Sequence, residues 1–281
     1  MKKFTAEEKK AYYAEQKKQV EQALVAGVQH CFADGSNFRS YLDTMSKFHN
    51  YSLRNCMLIA MQMPTATHIA GYGDWNKKFK RHVKTGEKSI KVIAPTPCKF
   101  KVKDIDTDGN EIEKEITVNR YKVVPVFDVS QTEGEDLPTL CKPLTADVEG
   151  FDSIRKTLEG SAKYPVSYET IDDEDLYGWF DTRNKKIVIS AGVSEAQTIK
   201  TLVHEIAHSI LHDDVFCQIP REIKEVQAES VAYIVCSNLG INTDQYSFEY
   251  VAAWSQQDPK ALNDQLDIVR RTADAILDKF N

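Results

Sequence analysis

The stretch TLVHEIAHSILH, Thr201 to His212, sets two histidines four residues apart with a glutamate directly after the first. If the segment is a helix, His204 and His208 lie one turn apart on one face and converge on a single cation, with Glu205 beside them. A catalytic zinc takes three protein ligands and keeps one position open, so a third ligand is required. Two routes supply it. A sharp turn directly after the helix would offer Asp214, but Leu211 stands where the glycine of such a turn belongs, which makes this the weaker route. The following segment, KEVQAESVAYIV, offers Glu225 and Glu229 one turn apart on a shared helical face. Glu225 is the expected ligand and Glu229 the acceptor that orients a ligand histidine, with the two roles exchangeable. The expected cofactor is one Zn2+ per chain, or another divalent ion, and the expected chemistry is peptide or amide hydrolysis with Glu205 as catalytic proton acceptor.

The flanking sequence predicts the helix that this chemistry needs. Ser194 followed by Gln197 makes a capping-box start, and Ile199, Leu202, Val203, Ile206, Ala207, Ile210 and Leu211 recur at three-and-four spacing. The bland alternative is an amphipathic helix that happens to carry two surface histidines. It loses weight because a second patterned helix, Arg221 to about Leu239 and closed by Gly240, brings two glutamates. His212 reads as a last-turn histidine favoured by the helix dipole, and Cys217 as structural.

The rest of the chain divides by texture. Residues 6 to about 63 read as helical and end at Pro64, and a short helix is expected around YGDWNKKFKRHV. Strands follow at KSIKVIAP, CKFKVKDI and EITVNRYKVVPVFDV, with Asp108-Gly109 suited to a hairpin turn. After a polar, acidic stretch come a helix at FDSIRKTLEG, strands at VSYETI and GWFDTRNKKIVIS, the two helices above, and a long helix after Pro259. The expected fold class is α+β. The expected organisation is a nucleic-acid-binding domain over 1–130, a linker over 131–150 and a metallopeptidase-type domain over 151–281.

The formal net charge of -6 would argue against a nucleic-acid partner, but it averages over a strong asymmetry. Gly71 to Asp104 holds ten Lys or Arg against three acids, a local +7. There Tyr72 and Trp75 are interleaved with Lys77, Lys78, Lys80, Arg81, Lys84 and Lys88. Cations for phosphates beside flat rings for unstacked bases are what single-stranded DNA requires. The competing reading is a solvated basic face with its rings in the core, and Trp75, at helical spacing from Phe79, is the ring that fits it best. The six cysteines form no C-x-x-C pair and read as reduced thiols. No apolar run follows the basic start and none approaches ~18 residues, so a cytoplasmic protein without a membrane partner is expected.

Two stretches together carry a family resemblance: YSLRNCMLIAMQMPTATHIAGYGDWNKKFKRHVKTGEKSIKVIAP and VPVFDVSQTEG. They resemble the ArdC-type antirestriction proteins of conjugative plasmids and transposons, and the H-E-x-x-H helix with Glu225 to Glu229 is similar to the zincin-like domain that follows in that family. The resemblance covers nearly the whole chain. It implies an N-terminal single-stranded-DNA-binding domain joined to a gluzincin-type zinc peptidase domain, acting in a recipient cell to protect incoming DNA from restriction. A protein substrate or a restriction enzyme is the further partner expected. The spacing after His208 is shorter than the family's, and Gln227 and Tyr233 depart from its pattern. Two other functions compete: a regulatory metalloprotease resembling the ImmA/IrrE group, which would cut a repressor, and a DNA-binding module whose metal site is structural.

Overall fold

The helical N-terminal stretch is three helices, each opened by a side-chain cap. In a computed structural model, which describes residues 5–105, 111–135, 137, 150–173, 176–214, 219–241 and 259–280, α1 (Ala6–Cys31) starts on a reciprocal Thr5–Glu8 cap. Asp34 caps α2 (Gly35–Lys47) by accepting from the backbone N–H groups of Ser36 and Asn37, both at 2.9 Å. Ser52 caps α3 (Leu53–Gln62), which stops before Pro64, where the residue ahead of a proline is driven out of the helical region.

Contacts divide the chain into two compact units, Met1–Leu24 with His68–Glu135, and Val25–Thr67 with Asp136–Asn281. The first differs from the 1–130 domain read from sequence because residues 25–67 pack with the second. It also runs past the expected linker start: Gln131 and Thr132 are buried, and Thr132–Gly134 is a strand.

In the first unit, β1 (Ile69–Gly71), β3 (Ile90–Ile105) and β4 (Glu111–Asp128) form an antiparallel sheet in the order β1-β4-β3. The two strands expected at 88–95 and 98–105 are one strand. Pro95 and Pro97 are tolerated because β3 is an edge strand and residues two apart turn their missing N–H groups to the same side. The expected Asp108-Gly109 turn lies outside the described residues. The helix expected over 72–83 stops early: α4 is Tyr72–Lys77, Lys80 turns left-handed at φ 52, and Arg81–Val83 becomes β2, paired antiparallel with β5 (Thr132–Gly134). Gly134 permits that pairing, since a Cβ there would stand 2.5 Å from the Lys80 carbonyl oxygen.

The second unit holds α5 (Phe151–Ser161), a small sheet, α6 (Glu195–Leu211), α7 (Arg221–Asn238) and α8 (Pro259–Leu277), together with α2, α3 and the end of α1. Its sheet has the order β6-β8-β7. β6 (Val166–Glu169) runs parallel to β8 (Lys186–Ser190), and β7 (Gly178–Asp181) antiparallel to it. The β7–β8 turn is made by Asp181, whose Oδ1 accepts from the N–H groups of Arg183 and Asn184, both at 2.9 Å.

α6 lies on β7 and β8. Ile199, Leu202, Val203, Ile206 and Ala207 are fully buried, whereas Ile210 is 40% exposed, so the stripe ends a turn before the sequence pattern does. Burial of each aliphatic side chain contributes roughly 1.5–3 kcal/mol, more than an exposed ion pair. Ser194 caps α6 by accepting from Gln197 N at 3.3 Å, but the Gln197 side chain turns away to donate to Thr201 Oγ1 at 3.0 Å. α7 packs between α6, α2 and α8. It ends on left-handed Gly240, φ 74, with Ile241 N donating to Cys236 O at 2.9 Å. Its link to α2 is specific: Tyr233 donates its hydroxyl proton to Asp43 and accepts from Arg39 Nε at 3.2 Å, and Asn238 donates to Ser46 O at 2.7 Å. Among the described residues no helix is long and apolar enough to cross a membrane, and Cys31, Cys56, Cys98 and Cys236 form no disulfide.

Candidate metal centre and candidate nucleic-acid surface

The faces of α6 and α7 that meet bring His204, His208 and Glu225 into one group of facing donor atoms. The two Nε2 atoms are 3.0 Å apart, and Glu225 Oε2 lies 3.5 Å from that of His204 and 3.6 Å from that of His208. Four-coordinate zinc with bonds of about 2.05 Å places its ligands about 3.3 Å apart, so the three atoms have the spacing of three corners around one cation.

Hydrogen-bond polarity points the same way. His204 Nδ1 donates to Glu229 Oε2 at 3.1 Å, which leaves the His204 Nε2 lone pair facing inward, and Lys200 holds the other Glu229 oxygen at 3.4 Å. His208 Nδ1 meets His212 Nδ1 at 2.9 Å, and His212 Nε2 meets Gln227 Oε1 at 2.8 Å. With its proton on Nδ1, His208 would present Nε2 as an acceptor too, and two ring nitrogens and a carboxylate oxygen would then face each other, an arrangement that a proton or a metal cation must relieve. The donor set of two imidazoles and a carboxylate fits a divalent ion of the zinc or manganese type.

The electrostatics follow from the same neighbours. Burial alone would lower the His204 imidazole, but its bonds to Glu225 and Glu229 and the charge of Glu205 raise it to about 10. Those two histidines hold the Glu225 carboxyl well below the usual range. Burial pushes Glu229 up, and His204 and Lys200 outweigh it to leave a net lowering. Glu205, 7% exposed, is pushed up by burial against the pull of His204 and His208, and it accepts the backbone N–H of Phe180 on β7. A buried carboxylate with a raised pKa beside two imidazoles is poised to take a proton. Burial lowers His212 to about 4.

Asp214 is exposed and is not among the grouped donors. Cys217 lies outside the described residues. Sequence reasoning missed His212 as a partner of His208, as well as Gln227, Lys200 and the Phe180 amide. The spacing 204, 208, 212 on one helix carried the signal for the first, and nothing in the sequence carried it for the amide.

The basic stretch is partly spent on the fold. Trp75, expected to stack on a base, is 1% exposed and donates its Nε1 proton to Phe127 O at 2.9 Å; helical spacing turns it inward onto Phe79. Arg81 staples β2 to β5, donating to Thr132 Oγ1 at 2.8 Å, Thr132 O at 3.1 Å and Gly134 O at 3.3 Å. Lys84 donates to Ser130 O at 2.9 Å. Lys99 and Lys101 meet Glu115 and Glu113 diagonally across the β3–β4 ladder, so β4 offsets the local charge that Gly71–Asp104 carries alone. Tyr72 is 63% exposed, Lys77 and Lys88 are exposed, and Lys78 and Lys80 hold only solvent-facing pairs with Asp74 and Glu135. Such pairs are weak enough to exchange for a phosphate.

An H-E-x-x-H helix laid on a small sheet, with a glutamate from the next helix, defines a zincin-like metallopeptidase domain. Residues 160–239 match the IrrE N-terminal-like domain of the M78 peptidases, and residues 10–127 match the N-terminal domain of anti-restriction factor ArdC. The chain thus joins the N-terminal domain of the ArdC-type antirestriction proteins to a domain of the M78 type. An uncharacterized protein of Bacillus anthracis is 26% identical over 321 residues that cover 100% of this chain and 54% of its own length, so the chain spans about half of that relative. Two crystal structures of antirestriction protein ArdC from plasmid R388 are also similar. The metal-free one is 19% identical over 80% of this chain and 84% of that one, with a TM-score of 0.48. The Mn(II)-bound one is 17% identical over 80% and 83%, with a TM-score of 0.50.

Proposed function

We propose that the chain is an antirestriction protein that binds single-stranded DNA through its first unit and carries a divalent-metal peptidase-type site in its second. The observation that carries the second half is the meeting of His204 Nε2, His208 Nε2 and Glu225 Oε2 at 3.0–3.6 Å from one another. His204, His208 and Glu225 would hold the ion, zinc by the donor set, and Glu229 would orient His204. When bound, a divalent ion there supplies Lewis acidity toward a water and an amide carbonyl. Glu205, fixed by the Phe180 amide, takes the proton from the attacking water and returns it to the leaving amine. For DNA, the support is the exposed Tyr72 with Lys77, Lys78, Lys80 and Lys88; Arg81, Lys84 and Trp75 serve the fold instead.

The test pairs metal analysis of the purified chain with protection of incoming DNA in cells. His204→Ala should lose the ion, and Glu205→Gln should keep it while losing protection. Full protection by Glu205→Gln with the ion bound would leave the site a structural role. The match to the IrrE N-terminal-like domain favours a repressor-cutting protease as the second reading. It would replace the first if the chain showed no salt-sensitive binding to single strands.

A further inference from the structure

We propose that His212, held by Gln227, is a positioning residue that fixes the tautomer of His208 for metal binding. The inference rests on the divalent-metal reading of the site. His212 sits one turn beyond His208 as the C-terminal cap of α6 and is 5% exposed. Its ring is not turned to solvent; its two nitrogens face His208 and Gln227.

The direction of the chain of hydrogen bonds is set from its far end. Gln227 on α7 donates its amide N–H to Gln265 Oε1 on α8, so its own oxygen is the atom left facing His212 Nε2, at 2.8 Å. An amide oxygen only accepts, and His212 therefore carries its proton on Nε2 and presents a lone pair at Nδ1. The 2.9 Å contact between the two Nδ1 atoms then has one polarity available, with His208 donating and His212 accepting. A proton on His208 Nδ1 leaves its Nε2 bare, facing His204 Nε2 at 3.0 Å and Glu225 Oε2 at 3.6 Å. Reversing any bond in the series would put a proton on His208 Nε2 and close that corner of the site.

The two ligand histidines are consequently unequal. His204 is backed by a carboxylate, Glu229, whereas His208 is backed by an imidazole that is itself backed by an amide. A carboxylate raises the basicity of its imidazole more than a neutral acceptor does. His208 is the ligand whose availability depends on a residue outside the H-E-x-x-H pattern, and three helices cooperate to set it.

The experiment uses the full chain and Zn2+ alone, with affinity read by competition against a chelator. His212→Leu removes the acceptor and should weaken Zn2+ binding by about 10–100-fold. His212→Gln, whose oxygen can face His208 and whose amide N–H can face Gln227, should recover most of that loss. Nitrogen-15 spectra of the parent chain, stripped of metal, should place the protons on His208 Nδ1 and His212 Nε2, which keeps the inference testable if a variant fails to fold. Parent-like affinity in His212→Leu, a glutamine variant as weak as the leucine one, or a proton on His208 Nε2 would each overturn it while leaving the metal reading standing. A parent chain that binds no Zn2+ would overturn both.

Discussion

Gly178 on β7 is the residue whose replacement should most directly join the fold to the site. A Cβ built there would stand 2.7 Å from Thr201 Cγ2 on α6, 2.7 Å from Val188 O on β8 and 3.2 Å from Ile189 Cδ1. Ordinary carbon contacts begin near 3.5 Å, so Gly178→Ala must push the strand outward by about 0.8 Å. The Thr201 methyl is the end of a side chain, but Val188 O belongs to the ladder that pairs β7 with β8 and cannot yield cheaply. Overpacking of this kind costs about 1–3 kcal/mol. At about 2–4 °C per kcal/mol for a unit of this size, the melting temperature should fall by about 2–12 °C. The same displacement acts two residues along, where the Phe180 amide holds Glu205, so protection of incoming DNA should fall further than the fraction of unfolded protein explains. Thr201→Ser removes the Cγ2 methyl and keeps the hydroxyl that accepts from Gln197, so the double variant should regain part of the loss. Thermal melts of the four chains form a double-mutant cycle with an expected coupling of about 0.5–3 kcal/mol. A Gly178→Ala chain that melts with its parent, or a double variant that regains nothing, would refute the close-approach account.

Three further outcomes are expected. Hydrogen bonds from Lys163, Lys185 and Tyr164 hold the Asp213 carboxyl well below the usual range, so its contribution is present above the unfolded carboxylate value of about 4 and is lost as pH falls below it. Urea midpoints from pH 6 to pH 3 should therefore fall more steeply for the parent than for Asp213→Asn, and parallel curves would contradict the cluster's role. Zn2+ at 100 times its dissociation constant should add about 2.7 kcal/mol to the unfolding free energy of the parent and nothing to that of His204→Ala, as read by thermal melts. For single-stranded DNA, Tyr72→Ala should cost about 1–3 kcal/mol of affinity at unchanged stability. Trp75→Phe, which removes the indole N–H from the Phe127 carbonyl, should lower stability and leave the affinity of the folded fraction unchanged.

What could be read from the sequence was what periodicity and local chemistry encode. The α6 pattern, the E-x-x-x-E spacing of α7 and the glycine that closes it are properties of single segments, and the helices they predict are present. Trp75 shows the limit: a ring among lysines has the same composition whether it faces solvent or a strand, and only the partner strand, β4, decides. The local charge of Gly71–Asp104 misleads in the same way at Lys99 and Lys101, since their glutamates arrive from β4, a dozen or more residues away. Pro95 and Pro97 broke one strand into two on paper because a sequence does not say which strand is an edge. His212 reads from sequence as a helix-dipole histidine because its partner, Gln227, lies on another helix.

The least legible feature was the place of residues 25–67, and it yields a prediction of its own. A fragment cut at the sequence-derived boundary, 151–281, would keep every candidate ligand and lose α2 and α3. α2 packs on α7, the helix that carries Glu225 and Glu229, and on α3, which in turn meets α8. On α2 the side chains of Phe38, Leu42 and Met45 are 0–1% exposed. At roughly 1.5–3 kcal/mol each, their burial contributes about 5–9 kcal/mol, which is the size of a whole domain's stability, about 5–15 kcal/mol. Tyr233 would also be stripped of Asp43 and Arg39, and Asn238 of the Ser46 carbonyl. The 151–281 fragment should therefore lack a cooperative thermal transition and bind Zn2+ far more weakly than the parent, whereas a 25–281 fragment should melt cooperatively and match the parent's affinity. A 151–281 fragment that melts sharply and binds Zn2+ as the parent does would show that α7 holds its two glutamates without support from the N-terminal helices.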